Sequence, residues 1–376
     1  MPRSSSTSPE PGPLARLDPA RWNALNRGEN PFTDARFLRA AGTAGCVEGA
    51  TGWHWAGLDL PGWIKLHSHG EFVFDFAWAD AAQRNGLPWY PKLLIAAPFT
   101  PVVGPRLLGA DADARAAALA AVEQRLNDDG LPAASINFGD DADAEILDDT
   151  RWLGRFGWQY HWHNRDWTDF DDFLAALRAK PRKNIRQERR RASAGWSYRW
   201  LDGETISDEE LTTVANCYRT THLLYGNRPS LNEAFFHRAA RDFGDRFLVC
   251  MAARDDVDRA CSVFWRSPTR LYGRYWGALE ETRDVHFECC YYRGIEYCIE
   301  HGLQAFEPGA QGEHKIRRGF VPVRTRSWHW IAHPGLRDGI RHWLGMEAEA
   351  LQEHRRRLDE LVPYRDAADD RPGDAG

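Results

Sequence analysis

A chain of 376 residues carries 48 lysines and arginines against 54 aspartates and glutamates, a formal charge of −6. That balance excludes a nucleic-acid binder acting through overall charge and leaves only local basic patches for such contacts. Hydrophobic residues at 43% and charged residues at 27% describe a globular protein of roughly two to three domains.

The N-terminal stretch MPRSSSTSPEPGP lacks the apolar run of a secretory signal, and its Ser and Pro content predicts a disordered lead-in over residues 1–15. No apolar run reaches the ~20 residues that span a bilayer, so no membrane insertion and a cytoplasmic location are expected. Seven cysteines, an odd number with no C-x-x-C spacing, argue against a zinc ribbon and fit reduced, buried thiols.

Residues 21–41 read as helix, a turn at Asn30-Pro31, and a second helix. WIKLHSHGEFVF (63–74) alternates like a strand, which would set His67, His69 and Glu71 on one face. Strand-edge or cleft-lining hydrogen bonding suits those residues better than a metal, and no metal site is assigned. Glu71 and Asp75 are instead candidates for a general base or a substrate-orienting group. From Asp75 onward the pattern turns helical.

Residues 91–108 form a β-rich run broken by prolines, with a turn at Gly104-Pro105. Residues 111–131 are a helix capped by Asp111 or Asp113 and stopped by Gly130, and ASINFG (134–139) is a short buried strand. The same order of strand, loop, helix and strand returns at 270–281, 286–303 and 304–310. Two mixed α/β domains in tandem follow: residues 16–150 and 151–345, with a helix and disordered tail over 346–376.

Two further stretches carry charge. RAKPRKNIRQERRR (178–191) holds eight basic residues and one acid, and on a helix Lys183, Arg186 and Arg190 share a face suited to phosphates. EPGAQGEHKIRRGF (307–320) joins glycine-rich backbone to Glu307, Gln311, His314, Lys315 and Arg317, a loop able to wrap an anion. No Ser-His-Asp order, P-loop or Rossmann glycine run appears.

PFTPVVGPRLL, KPRKNIRQERRRASAG, YGRYWGALEE and FEPGAQGEHKIRRGFVPV resemble the FemAB-like branch of the GNAT acyltransferase superfamily, from about Pro31 to Pro334. The last block is the most specific, with Lys315, Gly319 and Phe320 matching a K-x-x-x-G-F stretch. The resemblance implies tandem GNAT-like domains with mixed sheets and flanking helices, and N-acyl transfer with no permanently bound cofactor. The implied donor is an aminoacyl-tRNA, as in Fem proteins, or an acyl-CoA, as in other GNAT proteins. The implied acceptor is the amine of a peptidoglycan precursor or another small amine. Two family features are missing: no pair of long heptad helices is visible, and EETRDVHF (280–287) has no glycine where an acyl-CoA loop would stand.

On this reading Glu307, Glu71 and Asp75 are the catalytic candidates, with Glu307 and Glu71 as proton acceptors. Lys183, Arg186, Arg190, Lys315 and Arg317 clamp an anion, and Arg106, His161, Gln311 and His314 contact substrate. Tyr275 and Trp276 line an acceptor channel or fill the core. A different class of function stays open: a non-catalytic module that holds a nucleotide-linked or RNA partner through the basic helix. A catalyst needs a carboxylate in the cleft, whereas a binder needs only the basic face.

Overall fold

The computed structural model describes residues 14, 17–26, 30–48, 51–282, 284–310 and 312–365. Its first elements are α1 (Pro19–Leu25), α2 (Ala35–Thr43), β1 (Trp53–Trp55), β2 (Gly62–Lys65), α3 (Phe76–Arg84), β3 (Lys92–Ile95), α4 (Ala112–Asp128), β4 (Ala133–Gly139) and α5 (Asp141–Leu147). Then come β5 (Leu153–His163), α6 (Phe170–Ala176), α7 (Ala179–Ala192), β6 (Ser197–Asp202), α8 (Asp208–Leu224), α9 (Glu233–Phe243), β7 (Phe247–Arg254), β8 (Val257–Arg266) and β9 (Arg270–Ala278). The chain continues through α10 (Val285–Phe287), a π-helical turn (Glu288–Tyr292), α11 (Arg293–Glu300), β10 (Ala305–Glu307), a 3-10 turn (Glu313–Arg318), β11 (Val321–Ile331) and α12 (Pro334–Leu361).

The strands form one sheet in the order β1-β2-β3-β4-β11-β5-β10-β9-β8-β7-β6. Only two neighbouring pairs are parallel, β3 with β4 and β9 with β10, and each is joined by a helical crossover. These are the two β–α–β units expected from the sequence. The middle of the sheet is exchanged between them: β11, from late in the chain, lies antiparallel beside β4, and β5 lies antiparallel beside β10. Between them β5 and β11 pair from Val321↔His161 to His329↔Leu153. The two halves of this mixed sheet are therefore welded at its centre.

Local chemistry sets the helices. Asp111 caps α4 by accepting from the Ala114 N–H at 2.8 Å, and Ser207 and Glu210 form a capping box on α8. One apolar cluster runs along the α1, α2, α4, α8 and α9 face of both halves. Phe32 and Phe37 from the first half meet Trp265 at ring distances of 5.4 and 5.8 Å, so the halves share a core. The opposite face is covered by α6, α7, the π turn and α11 in the second half, and by α3 and α12 in the first. Among the described residues no helix is long and apolar enough to cross a membrane.

One expected strand is shorter than its alternation suggests. β2 stops at Lys65, and Gly70 (φ +80°) and Phe72 (φ +61°) turn residues 66–74 out of the sheet. His67, His69 and Glu71 thus do not stand on one strand face. The tail expected over residues 1–15 falls almost wholly outside the described residues, as does Gln311.

Candidate active site

β9 and β10 run side by side for three residue pairs, Arg270 to Tyr272 against Ala305 to Glu307. β10 then ends while β9 continues to Ala278. Across from β8 the register jumps from Phe264↔Gly273 to Val263↔Tyr275, leaving Arg274 as the extra residue of a bulge. The bulge turns both Arg274 and Tyr275 to the face that already holds Tyr272, while Trp276 goes to the other. Charged side chains gather where the two strands part.

Glu307 is the last residue of β10 and is 3% exposed. Its carboxylate meets Arg270 at 3.3 Å and Arg274 at 3.4 Å, and Arg274 also donates to the Glu307 carbonyl at 2.9 Å. Burial pushes the Glu307 pKa up, and the two arginines only partly oppose it; burial likewise lowers Arg274. The long contacts leave both charges incompletely compensated. Arg274 lies over the Phe32 ring at 4.9 Å, whereas the Arg270 side chain is 43% exposed.

The 308–320 loop brings Lys315 to the same place. Its ammonium is buried and donates to the Gly309 carbonyl at 2.7 Å. Burial, then the charge of Arg274, lower its pKa to about 7. His161 on β5 faces Arg270, Arg274 and Lys315; burial and those charges hold it neutral, well below its ordinary value, and it contacts Gln159 at 3.1 Å. Gly319 (φ +96°) lets the loop turn back against Phe173 and Tyr364, where an added Cβ would sit 2.8 Å from the Phe173 ring.

His314 Nε2 lies 3.1 Å from the Tyr291 hydroxyl, and Arg317 is exposed. Arg318 is the loop's anchor. It donates to Glu188 at 3.1 and 2.9 Å and stacks 3.7 Å over Phe287. Glu188 belongs to α7, so the basic helix is tied to the site loop. On α7 Lys183, Arg186 and Arg190 are exposed, with Arg186 3.2 Å from Asp171. Arg189 instead turns inward to Glu288 and Glu296, and Arg191 to Asp284.

Several candidates lie elsewhere. Arg106 does not open onto a cleft: it is fully buried, donates to the carbonyls of Val102, Gly104, Pro105 and Asn137, and holds its own loop in shape. Tyr275 packs with Tyr218 and Trp265, while Trp276 packs with His286 across the sheet, so they line no common channel. Glu71 and Asp75 form a separate cluster. Both accept from the fully buried Lys92, at 2.7 and 2.5 Å, and Lys92 also donates to Ser68 at 2.8 Å. Asn137 of β4 touches Glu71, and three strand spacings, ~14 Å, separate β4 from β10 and Glu307. The structure therefore does not bring Glu71 and Glu307 together.

Sequence reasoning missed Arg270, Arg274 and Lys92. The first two were legible in principle, because an R-x-x-x-R spacing on a strand repeats on one face near a carboxylate at the next strand's end.

The family model described as peptidoglycan biosynthesis/recognition matches residues 13–366. Among solved structures the chain is similar to the C-terminal domain (DUF2156) of a protein named as a lysylphosphatidylglycerol synthetase from Agrobacterium fabrum. The TM-score is 0.52 at 12% identity, covering 89% of this chain and 98% of that one. It is also similar to L-PGS from Bacillus licheniformis (TM-score 0.49, 11% identity, 87% and 97% covered) and to FemX (0.43, 12%, 68% and 85%). At such identities the likeness concerns the fold alone. No curated protein matches the sequence. With a model match over nearly its whole length and two β–α–β units in tandem, the chain belongs to the FemAB-like family.

Proposed function

We propose that the chain is an N-acyltransferase that moves an acyl or aminoacyl group from a phosphate-bearing donor, an aminoacyl-tRNA or an acyl-CoA, to an amine. A peptidoglycan-precursor amine is the acceptor class that the family description favours. The observation that carries the reading is the pair of buried charged groups at the parting strands: Lys315, lowered to about 7, and Glu307, raised by burial.

The two suit opposite ends of one reaction. The acceptor amine attacks the donor carbonyl, forming the N–C bond, and gives its proton to Glu307 after Arg270 swings aside. Lys315 as its ammonium faces the developing oxyanion and passes a proton to the leaving oxygen or sulfur as that bond to carbon breaks. A donor acid with a pKa near neutrality works best at that step. Arg274 stays fixed on Phe32 and supplies positive charge without reorganising. The exposed basic face of α7, tied to the loop through Glu188 and Arg318, supports the reading because its charges suit a phosphate-rich donor.

The test is transfer itself. Charged bulk tRNA and acetyl-CoA are offered separately with a nucleotide-linked peptidoglycan precursor, and products are read by mass spectrometry. A mass gain on the precursor from one donor, lost in Lys315→Met, supports the reading. No gain from either donor, with folded protein, refutes it in favour of a binding role for α7.

A further inference from the structure

One buried side chain beside Glu307 has no role in the proposed transfer. β10 and β5 pair antiparallel through Ala305↔His163 and Phe306↔Trp162, so the next rung sets Glu307 opposite His161. Side chains directly opposite each other on such a pair stand on one face, with Cβ atoms roughly 4.5–5.5 Å apart. On its other side Glu307 is paired with Tyr272 of β9. Tyr272, Glu307 and His161 therefore form one row across three strands, on the face to which the bulge turns Arg274.

Hydrogen bonding fixes which nitrogen of the His161 ring carries the proton. Gln159, two residues back on the same face of β5, donates its amide N–H to the Pro101 carbonyl at 2.7 Å, and a carbonyl can only accept. The Gln159 amide oxygen is therefore the atom turned to His161 Nε2, 3.1 Å away, and Nε2 carries the hydrogen. Burial, with the nearby charges of His163, Arg270, Arg274 and Lys315, holds the ring neutral, so Nδ1 keeps its lone pair. Nδ1 makes no hydrogen bond among the described residues, yet it is not one of their sealed, unpartnered polar atoms. The 3% of His161 that meets solvent thus includes this nitrogen.

We propose that His161 Nδ1 is the second hydrogen-bond acceptor for the attacking amine, with Glu307 the first. The inference rests on the transfer described above and adds to it the group that aims the nucleophile. A neutral primary amine attacks through its lone pair and has to place two N–H groups elsewhere at the same moment. Arg270, Arg274 and Lys315 offer only donors, and the carbonyls of Gly273, Glu307 and Gly309 are already taken by Arg274 and Lys315. The Glu307 carboxylate and His161 Nδ1 are left for the two N–H groups, neighbours across the β10–β5 pair. The N–H turned to Glu307 loses its proton there as the N–C bond forms. The one turned to His161 keeps its hydrogen, and His161 takes no proton. This contact strengthens as the nitrogen becomes positive in the transition state, so it acts on turnover more than on binding.

Two variants of the full chain separate this role from a structural one. In His161→Asn the side-chain oxygen falls near the place of Nδ1 and the bond to Gln159 is lost. In His161→Gln the amide reaches the place of Nε2 and the acceptor at Nδ1 is lost. Transfer is assayed on the nucleotide-linked precursor with whichever donor the wild type uses, charged bulk tRNA or acetyl-CoA. His161→Gln loses about 10- to 100-fold in kcat with KM nearly unchanged, the effect of one hydrogen bond to a charged group, and His161→Asn recovers most of that loss. A nitrogen-15 spectrum of histidine-labelled wild type at pH 7, which needs no variant to fold, shows the His161 ring neutral with its hydrogen on Nε2. Equal losses in the two variants, a larger loss in His161→Asn, or a ring with its hydrogen on Nδ1 overturns the inference while wild-type transfer upholds the reading it rests on. Absence of transfer by the folded wild type sinks that reading, and this inference with it.

Discussion

Replacing Lys92 by Met keeps the volume of the side chain and removes the cation bonded to Glu71 and Asp75. The lysine is fully buried and makes three hydrogen bonds of 2.8, 2.7 and 2.5 Å, two of them to carboxylates that are 3% and 2% exposed. Removing one partner of a buried pair costs about 3–5 kcal/mol, because the remaining charge has no compensation. With an m-value of about 3 kcal/mol/M, a 4 kcal/mol loss moves the urea midpoint down by ~1.3 M, read by the fluorescence of the 17 tryptophans.

The sign of the pH dependence follows. In the wild type burial raises Glu71 to about 7, although Lys92 opposes it, and Asp75 stays below its ordinary value because the bonds to Lys92 and Ser68 outweigh burial. Without Lys92 both carboxylates rise further. The folded variant then binds more protons than the unfolded chain between about pH 4 and the raised values, so its stability falls as pH rises. The deficit against wild type is largest at pH 8 and shrinks toward pH 5, by up to ~1.4 kcal/mol per pH unit for each carboxylate. A loss under ~1 kcal/mol at pH 8, or a deficit that grows on acidification, refutes the account of this cluster as a charge-balanced core.

Lys315→Met should lower transfer at least ~100-fold while raising stability on the order of 2 kcal/mol below pH 7. That gain should fade as pH rises from about 7 toward 10.5, since the unfolded lysine keeps a proton that the folded one has lost; chemical denaturation at pH 6 and 10 checks it. Glu307→Gln should cut turnover by ~100-fold or more with donor affinity unchanged, measured by kcat against donor KM. Replacing Lys183, Arg186 and Arg190 together by Ala should weaken donor binding and flatten its salt dependence, read from log Kd against log salt. Gly277→Ala should cost several kcal/mol, about 3 or more, because the new Cβ would lie 2.1 Å from the Cys217 carbonyl carbon in α8. Gly339→Ala on α12, with nothing within 4 Å, should add about 0.5–1 kcal/mol in the same denaturation assay.

The β–α–β units were readable because each combines a short apolar run, a capped helix and a second apolar run within about forty residues, all local signals. The exchange of β5 and β11 was not, since strand partners nearly two hundred residues apart leave no trace in local periodicity. The basic helix shows the same divide. Its composition is plain, but only packing reveals that Arg189 and Arg191 turn to acidic groups across the fold while Lys183 and Arg190 stay exposed. Lys65 and Lys92 passed unnoticed for a related reason: each stands at the end of a short strand, where a solvated lysine is the usual outcome. The resemblance implies that Arg106 faces a cleft, whereas three carbonyls of its own tightly wound loop and that of Asn137 on β4 require an internal donor.

The exchanged central strands also dictate when the molecule can become whole during synthesis. β4 is complete once residue 139 has emerged, yet the strand that covers its free edge, β11, begins at Val321. At ~5–20 residues per second the nascent first half waits roughly ten seconds or more with an all-buried strand bare along one side. An open edge of that kind recruits foreign strands. A fragment ending near residue 150 would keep that edge permanently and should precipitate or capture chaperones, while a β11 peptide supplied in trans should rescue it.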